Sequence, residues 1–186
     1  MARATRTAIP DLSDDEDIVS DALALLKRDH RIIERLFTEF EAAVGLQLDP
    51  LSRRICKMLT LHAKIEEEIF YPAARTVIDP KLIDEAQAEH AAVIARITRI
   101  EAMTSEHPEF DASMAVLARE VTAHVTEEER DLFPRLARTK LDLEALGVAL
   151  AERKETLMEV MGLHEDDELR AVADPASSGA GVQAAR

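Results

Sequence analysis

The chain has 186 residues, enough for a single domain with tails and a sizeable core. Its formal charge of −14 disfavours nucleic acid and anionic membrane as partners, because both select a basic face. The single cysteine, Cys56, excludes an internal disulfide and any Cys-rich zinc or iron–sulfur site, and 47% apolar residues with only five glycines favour helix over sheet or disorder.

Residues 1–19 carry five acids and two arginines with little apolar periodicity, and read as a flexible acidic segment. Ser13 and Glu16 are spaced as a capping box. The segment lacks the apolar stretch of a secretory signal, and no apolar run in the chain approaches the roughly 20 residues of a membrane span. The expected location is therefore cytoplasmic.

The first helix is predicted to run to about Val44, with Leu23, Leu26, Ile33, Phe37, Phe40 and Val44 on its apolar stripe. Asp49-Pro50 looks like an N-cap followed by a first-turn proline and opens the second helix. Asp79-Pro80 repeats that device for the third. The run HPEFD (107–111) breaks the chain, and a fourth helix follows through Met114, Leu117 and Val121. A shorter amphipathic segment, 142–161, ends at Gly162, and residues 163–186 are acidic, then Ala/Gly/Ser-rich, as in a disordered tail. The expected fold is all-α: an antiparallel up-down four-helix bundle over 20–162, with an additional C-terminal helix packed outside.

The polar residues on the apolar stripes are the informative ones. Helix 1 reads Leu23, Leu26, His30, Ile33, Phe37; helix 2 reads Ile55, Met58, His62, Glu66, Ile69. Helix 3 reads Ile83, Ala86, His90, Val93, Ile97, Ile100, and helix 4 reads Leu117, Val121, His124, Glu128, Leu132. Each helix turns one histidine inward, and two add a carboxylate one turn later. His107, in a loop, and His164, after a helix end, lie on no stripe. A lone stripe histidine is commonly a core residue satisfied by one hydrogen bond. Six buried polar groups are another matter: at roughly 2–7 kcal/mol each without partners, they would rival the roughly 5–15 kcal/mol that holds a domain together. They must satisfy one another or surround a cation, and four imidazoles with two carboxylates suit a cation better.

An internal repeat sharpens this. LHAKIEEEIFYP (61–72) matches AHVTEEERDLFP (123–134): both read H-x3-E-E, with an aromatic and a proline ending ten residues after the histidine. His30 and His62 are 32 apart, His90 and His124 34 apart. A helical hairpin used twice, with a pseudo-two-fold axis, naturally gives two metal positions. The alignment pairs Glu128, not Glu127, with Glu66. Glu67 with Glu129, and Glu68 with Arg130, are expected on outer, solvated faces. Pro72 is expected to kink helix 2. The Glu-x-x-His spacing of ferritin-like sites is absent, as are H-E-x-x-H, G-x-S-x-G, P-loop and dinucleotide glycine patterns.

The order H…H-x3-E…H…H-x3-E, over roughly 20–140, resembles the hemerythrin-like, HHE cation-binding family. The resemblance implies a four-helix bundle with two non-haem iron ions and a bridging oxo or hydroxo group. His30, His62, His90 and His124 would be nitrogen ligands, with Glu66 and Glu128 bridging; imidazole and carboxylate together suit iron. Oxygen-carrying hemerythrins resemble the pattern but have a further histidine one turn after the third-helix ligand, where this chain has Ile94. The resemblance thus implies a more open site, unless Tyr71 or Glu89 completes the coordination. That favours binding of, or response to, O2, peroxide or nitric oxide over reversible oxygen carriage. The alternatives are a peroxide- or NO-consuming oxidoreductase, iron–sulfur cluster repair (where similar proteins often add a Cys-bearing N-terminal domain) and a metal-free helical interaction module. A small diatomic or peroxide ligand is the expected partner, with neither nucleic acid nor membrane; a homo-oligomer is compatible with the sequence.

Overall fold

The computed structural model describes residues 21–163, and among these the chain is built of helices alone. The expected segment 1–19 with its Ser13–Glu16 box, His164 and the tail beyond Leu163 lie outside the described residues. Helix α1 spans Ala22–Ala42 and is capped by Asp21, whose carboxylate accepts from the Ala24 N–H at 2.9 Å. Helix α2 begins as Leu48–Ile65, widens into a π-helical turn over Glu66–Phe70 and closes with Tyr71–Ala74. Helix α3 is Pro80–Glu101. Helix α4 repeats the form of α2: Phe110–Glu127, a π turn over Glu128–Leu132, then Phe133–Leu136. Helix α5 is Leu143–Met161, capped by Asp142 and stopped by Gly162 at φ 62°, where the Leu163 N–H reaches back to the Met158 carbonyl.

Several expectations need correction. Helix α1 stops at Ala42, which leaves Val44 76% exposed in the following loop instead of on the stripe. Asp79 does cap α3, accepting from the Lys81 N–H at 3.1 Å with Pro80 at the first position. Asp49, however, is not the cap of α2. A 3-10 turn, Gly45–Gln47, leads into the helix at Leu48, so Pro50 falls later in the first turn, where its missing N–H still costs nothing. The Asp49 carboxylate is used elsewhere: it accepts from the Ser105 N–H at 2.7 Å and hydroxyl at 3.1 Å, fixing the α3–α4 connection against the start of α2.

Pro72 produces a π turn instead of a simple kink. A proline ring collides with the carbonyl four residues earlier, here Glu68, and the helix relieves this by taking an extra residue into the preceding turn. The Tyr71 N–H consequently bonds the Glu66 carbonyl, five residues back. Pro134 imposes the same change on α4, where the Phe133 N–H bonds the Glu128 carbonyl. The extra residue rotates everything downstream. Ile69, expected inside, is only half-buried, as is Ala73 one turn later; Phe70, Tyr71 and Ala74 take the core positions.

Helix α1 packs on α2, α2 on α3, and α3 on α4, while α5 lies against α1 and α2, including the π turn of α2. The contacts of α1 with α4 run in opposite chain order: Phe40 meets Phe110, and His30 stacks on Phe133. One continuous apolar core results, with Leu26, Ile33, Ile55, Leu61, Phe70, Ile83, Leu117 and Leu150 fully or almost fully buried. No helix among the described residues is long and apolar enough to cross a membrane.

Candidate metal centre

Each of the helices α1 to α4 contributes to one polar cluster inside that core. His30, His62, Glu66, His90, His124 and Glu128 are all buried, none more than 4% exposed. His107, by contrast, is exposed in its loop. The histidines meet in pairs through Nε2, His30 with His62 at 3.1 Å and His90 with His124 at 2.9 Å. The two glutamates cross between the pairs. Glu66 Oε2 lies 3.3 Å from Nε2 of His62 and 3.2 Å from Nε2 of His90. Glu128 Oε2 lies 3.6 Å from Nε2 of His124 and 3.4 Å from Nε2 of His30. Each carboxylate therefore faces one histidine of its own helix and one from the other half of the repeat. The π turns start at these two glutamates, so the widened backbone sits where the two halves meet.

The ring nitrogens that face away from this point also follow the repeat. His30 Nδ1 lies 2.8 Å from Glu129, and its counterpart His90 Nδ1 lies 3.5 Å from Glu67. His124 Nδ1 lies 2.8 Å from Glu89, and His62 Nδ1 faces Asp29 at 3.9 Å, too long for a hydrogen bond. A carboxylate on Nδ1 fixes the ring and leaves the Nε2 lone pair aimed at the centre, the usual arrangement around a histidine-bound metal. The expectation that Glu67 and Glu129 are merely solvated is therefore corrected. Asp29 and Glu89 directly precede His30 and His90, and Glu67 and Glu129 directly follow Glu66 and Glu128. That paired placement was the available signal. Helical periodicity hides it, because adjacent residues point about 100° apart.

Two residues considered as extra donors separate clearly. Glu89 engages the outer nitrogen of His124 and is turned away from the Nε2 atoms. The Tyr71 hydroxyl lies inside: it donates to Glu128 Oε1 at 2.9 Å and sits 3.3 Å from His90 Nε2. Its counterpart in the repeat is Phe133, which stacks on His30 at 5.7 Å between ring centroids. Ile94 is half-buried against the core.

The cluster is poorly satisfied by protein alone. Both oxygens of Glu66 and Oε2 of Glu128 are buried without a hydrogen-bond partner, an arrangement costly unless something positive lies between them. Burial, together with the Glu128 charge, pushes the Glu66 carboxyl well above the ordinary range. Burial pushes Glu128 up as well, but the His30 imidazole 3.4 Å away and the other nearby histidine charges outweigh it and bring Glu128 down to about 2. Burial pushes the His62 imidazole down to about 4. In the protein alone, burial thus opposes charge on both Glu66 and His62. A cation would accept every inward lone pair and offset that cost, so the donor set fits a metal. The donors divide into His30, His62, Glu66 and Glu128 on one side and Glu66, His90 and His124 on the other, each set with ligand atoms within 4.8 Å of one another.

Comparison with known proteins places the chain in a family. The hemerythrin HHE cation-binding domain matches residues 21–136. A protein of Nostoc sp. named DNA nickase is 31% identical over 132 residues, a match covering 70% of this chain but only 37% of the Nostoc protein. The uncharacterized protein Rv2633c of Mycobacterium tuberculosis is 29% identical over 142 residues, covering 74% of this chain and 87% of that protein. In structure, the chain resembles a hemerythrin HHE cation-binding domain-containing protein, the Rv2633c homologue of Mycobacterium kansasii. The TM-score is 0.67 at 26% identity, covering 82% of this chain and 99% of that one.

Proposed function

The chain belongs to the hemerythrin HHE cation-binding family, and from that premise we propose that its buried cluster holds two non-haem iron ions and binds or responds to O2, peroxide or nitric oxide. The observation that carries this reading is the crossing of Glu66 and Glu128 between the two histidine pairs. A carboxylate facing a histidine of each half is placed to serve two ions at once. The reading includes residues 20–162 as an antiparallel up-down four-helix bundle with α5 added to it. It also includes a cytoplasmic setting without nucleic-acid or membrane partners, in keeping with the charge of −14.

Bound iron would supply one-electron chemistry toward a small ligand at a single point shielded from bulk water. The chain's own residues do the rest. His30, His62, His90 and His124 would present their Nε2 lone pairs; Glu129 and Glu89 hydrogen-bond the far side of the His30 and His124 rings, and Asp29 and Glu67 face that of His62 and His90. Glu66 and Glu128 bring the negative charge that offsets the cations in a low-dielectric interior. Tyr71 is the further protein donor best placed on the His90–His124 side, and its hydroxyl already donates a hydrogen bond to Glu128. Phe70, Phe133 and the surrounding aliphatic side chains exclude water.

Replacing either Glu66 or Glu128 by alanine should lose both ions together, whereas His107→Ala should leave metal content unchanged. Full retention of iron in both glutamate variants would sink the shared-carboxylate reading. The second reading, a peroxide- or NO-consuming oxidoreductase, is separated by turnover. Sustained peroxide consumption that disappears in His62→Ala favours the enzyme; ligand binding without turnover favours the responsive protein. Iron–sulfur cluster repair is a third use of the same centre, and recovery of a cluster in a damaged acceptor protein is its test.

A further inference from the structure

Helix α5 lies beyond residues 21–136, where the family match ends, yet it reaches the candidate centre. Lys154 is only 8% exposed and donates from Nζ to Asp29 Oδ1 at 2.6 Å. Asp29 is 1% exposed and turns its other oxygen toward His62 Nδ1. That oxygen and that nitrogen are both buried without a hydrogen-bond partner. They face each other at 3.9 Å, about an ångström too far for a bond. The neighbouring Arg153 donates to Glu68 in the π turn at 2.6 Å.

The other half of the centre has no such brace. Glu67 and Glu89, which face the outer nitrogens of His90 and His124, are 44% and 36% exposed. Neither pairs with a lysine or arginine among the described residues, whereas Glu129, behind His30, is paired with Arg31. Stability alone gives little reason for the buried Lys154–Asp29 pair, since apolar residues of similar volume commonly serve as well or better. Its geometry gives another: the ammonium anchors one carboxylate oxygen and so aims the second at His62.

We propose that Lys154 is a positioning residue for the metal centre, acting through Asp29 on His62, so that α5 holds the His30–His62 ion firmly and leaves the His90–His124 ion the more labile. The proposal rests on the two-ion reading above. An anchored Asp29 keeps a negative oxygen facing His62 Nδ1, which favours a proton there and so the tautomer whose Nε2 lone pair faces the metal. Glu67 and Glu89 are open to solvent, so water competes for the same role there, although Glu89 lies 2.8 Å from His124 Nδ1.

The test is the release of iron from the loaded full chain to an excess of chelator, followed by absorbance. The wild-type protein should release its two ions in two phases of equal amplitude. Lys154→Met should speed the slow phase by about tenfold or more and leave the fast phase alone, and Glu89→Gln should speed only the fast phase. Lys154→Met also strands a buried carboxylate, so a double variant, Asp29→Leu with Lys154→Met, removes both charges. Its apo thermal midpoint should recover relative to Lys154→Met while its slow phase stays fast. Single-phase release from the wild type, a slow phase unchanged in Lys154→Met, or recovery of that phase along with the midpoint in the double variant would each overturn the proposal while leaving the two-ion reading intact. A wild-type chain that takes up no iron would instead overturn that reading, and this inference with it.

Discussion

Tyr71 and Phe133 occupy matching positions of the repeat and differ by one hydroxyl, and that hydroxyl is one place where the two halves of the centre stop being equivalent. It donates to Glu128, which no other protein group inside the cluster does on that oxygen. Tyr71→Phe should keep the fold and most of the iron, with a stability loss of about 1–3 kcal/mol for the acceptor left unpaired. The visible spectrum of the iron-loaded protein should change, because a donor next to His90 has gone. An unchanged spectrum would remove Tyr71 from the donor set. The six inward residues at this scale were legible before any coordinates, because four histidines on four apolar stripes are too costly to bury without purpose. The outer carboxylates were not. Asp29, Glu67, Glu89 and Glu129 look like ordinary helix-surface charge in a chain with 37 acids, and in the sequence only their matched placement beside His30, Glu66, His90 and Glu128 sets them apart.

The two π turns are the feature that a fixed helical period could not reveal. A stripe counted at 3.6 residues per turn stays in phase up to Glu66 and Glu128, then slips by one residue in α2, which is why Phe70 and not Ile69 is buried. The matching prolines carried the information, since each forbids a regular α turn at the same distance from its histidine. This makes a prediction about single-residue deletions. Removing Glu68 together with Pro72→Ala converts the π turn to an α turn and leaves Phe70, Tyr71 and Ala74 on the same face. Helicity and iron content should survive, at the small cost of the exposed Glu68–Arg153 pair. Removing Lys64 instead rotates Glu66 by about 100° relative to His62, so iron should be lost. Far-UV circular dichroism and metal analysis on both deletions check this, and equal behaviour of the two would contradict it.

At the scale of the whole molecule, a continuous apolar core surrounds a polar centre that the protein alone leaves unsatisfied. The fold class and the five helical segments followed from periodicity, with Asp79-Pro80 and Gly162 marking helix ends; Asp49-Pro50 marked the second start only approximately. The reach of α5 into the centre did not, because Lys154 reads as one more surface lysine on an amphipathic helix. Metal removal should therefore loosen the molecule without unfolding it: far-UV helicity should persist, carried by the apolar stripes, while the thermal midpoint falls clearly as bound-state stabilisation is withdrawn. An apo protein as stable as the loaded one would count against a buried metal site.

Metal analysis of the purified chain, together with its optical spectrum, tests the central claim most directly. The account predicts about two iron ions per chain, since Glu66 and Glu128 each face a histidine of both halves. A single zinc ion per chain, or no metal after growth with iron supplied, would contradict it.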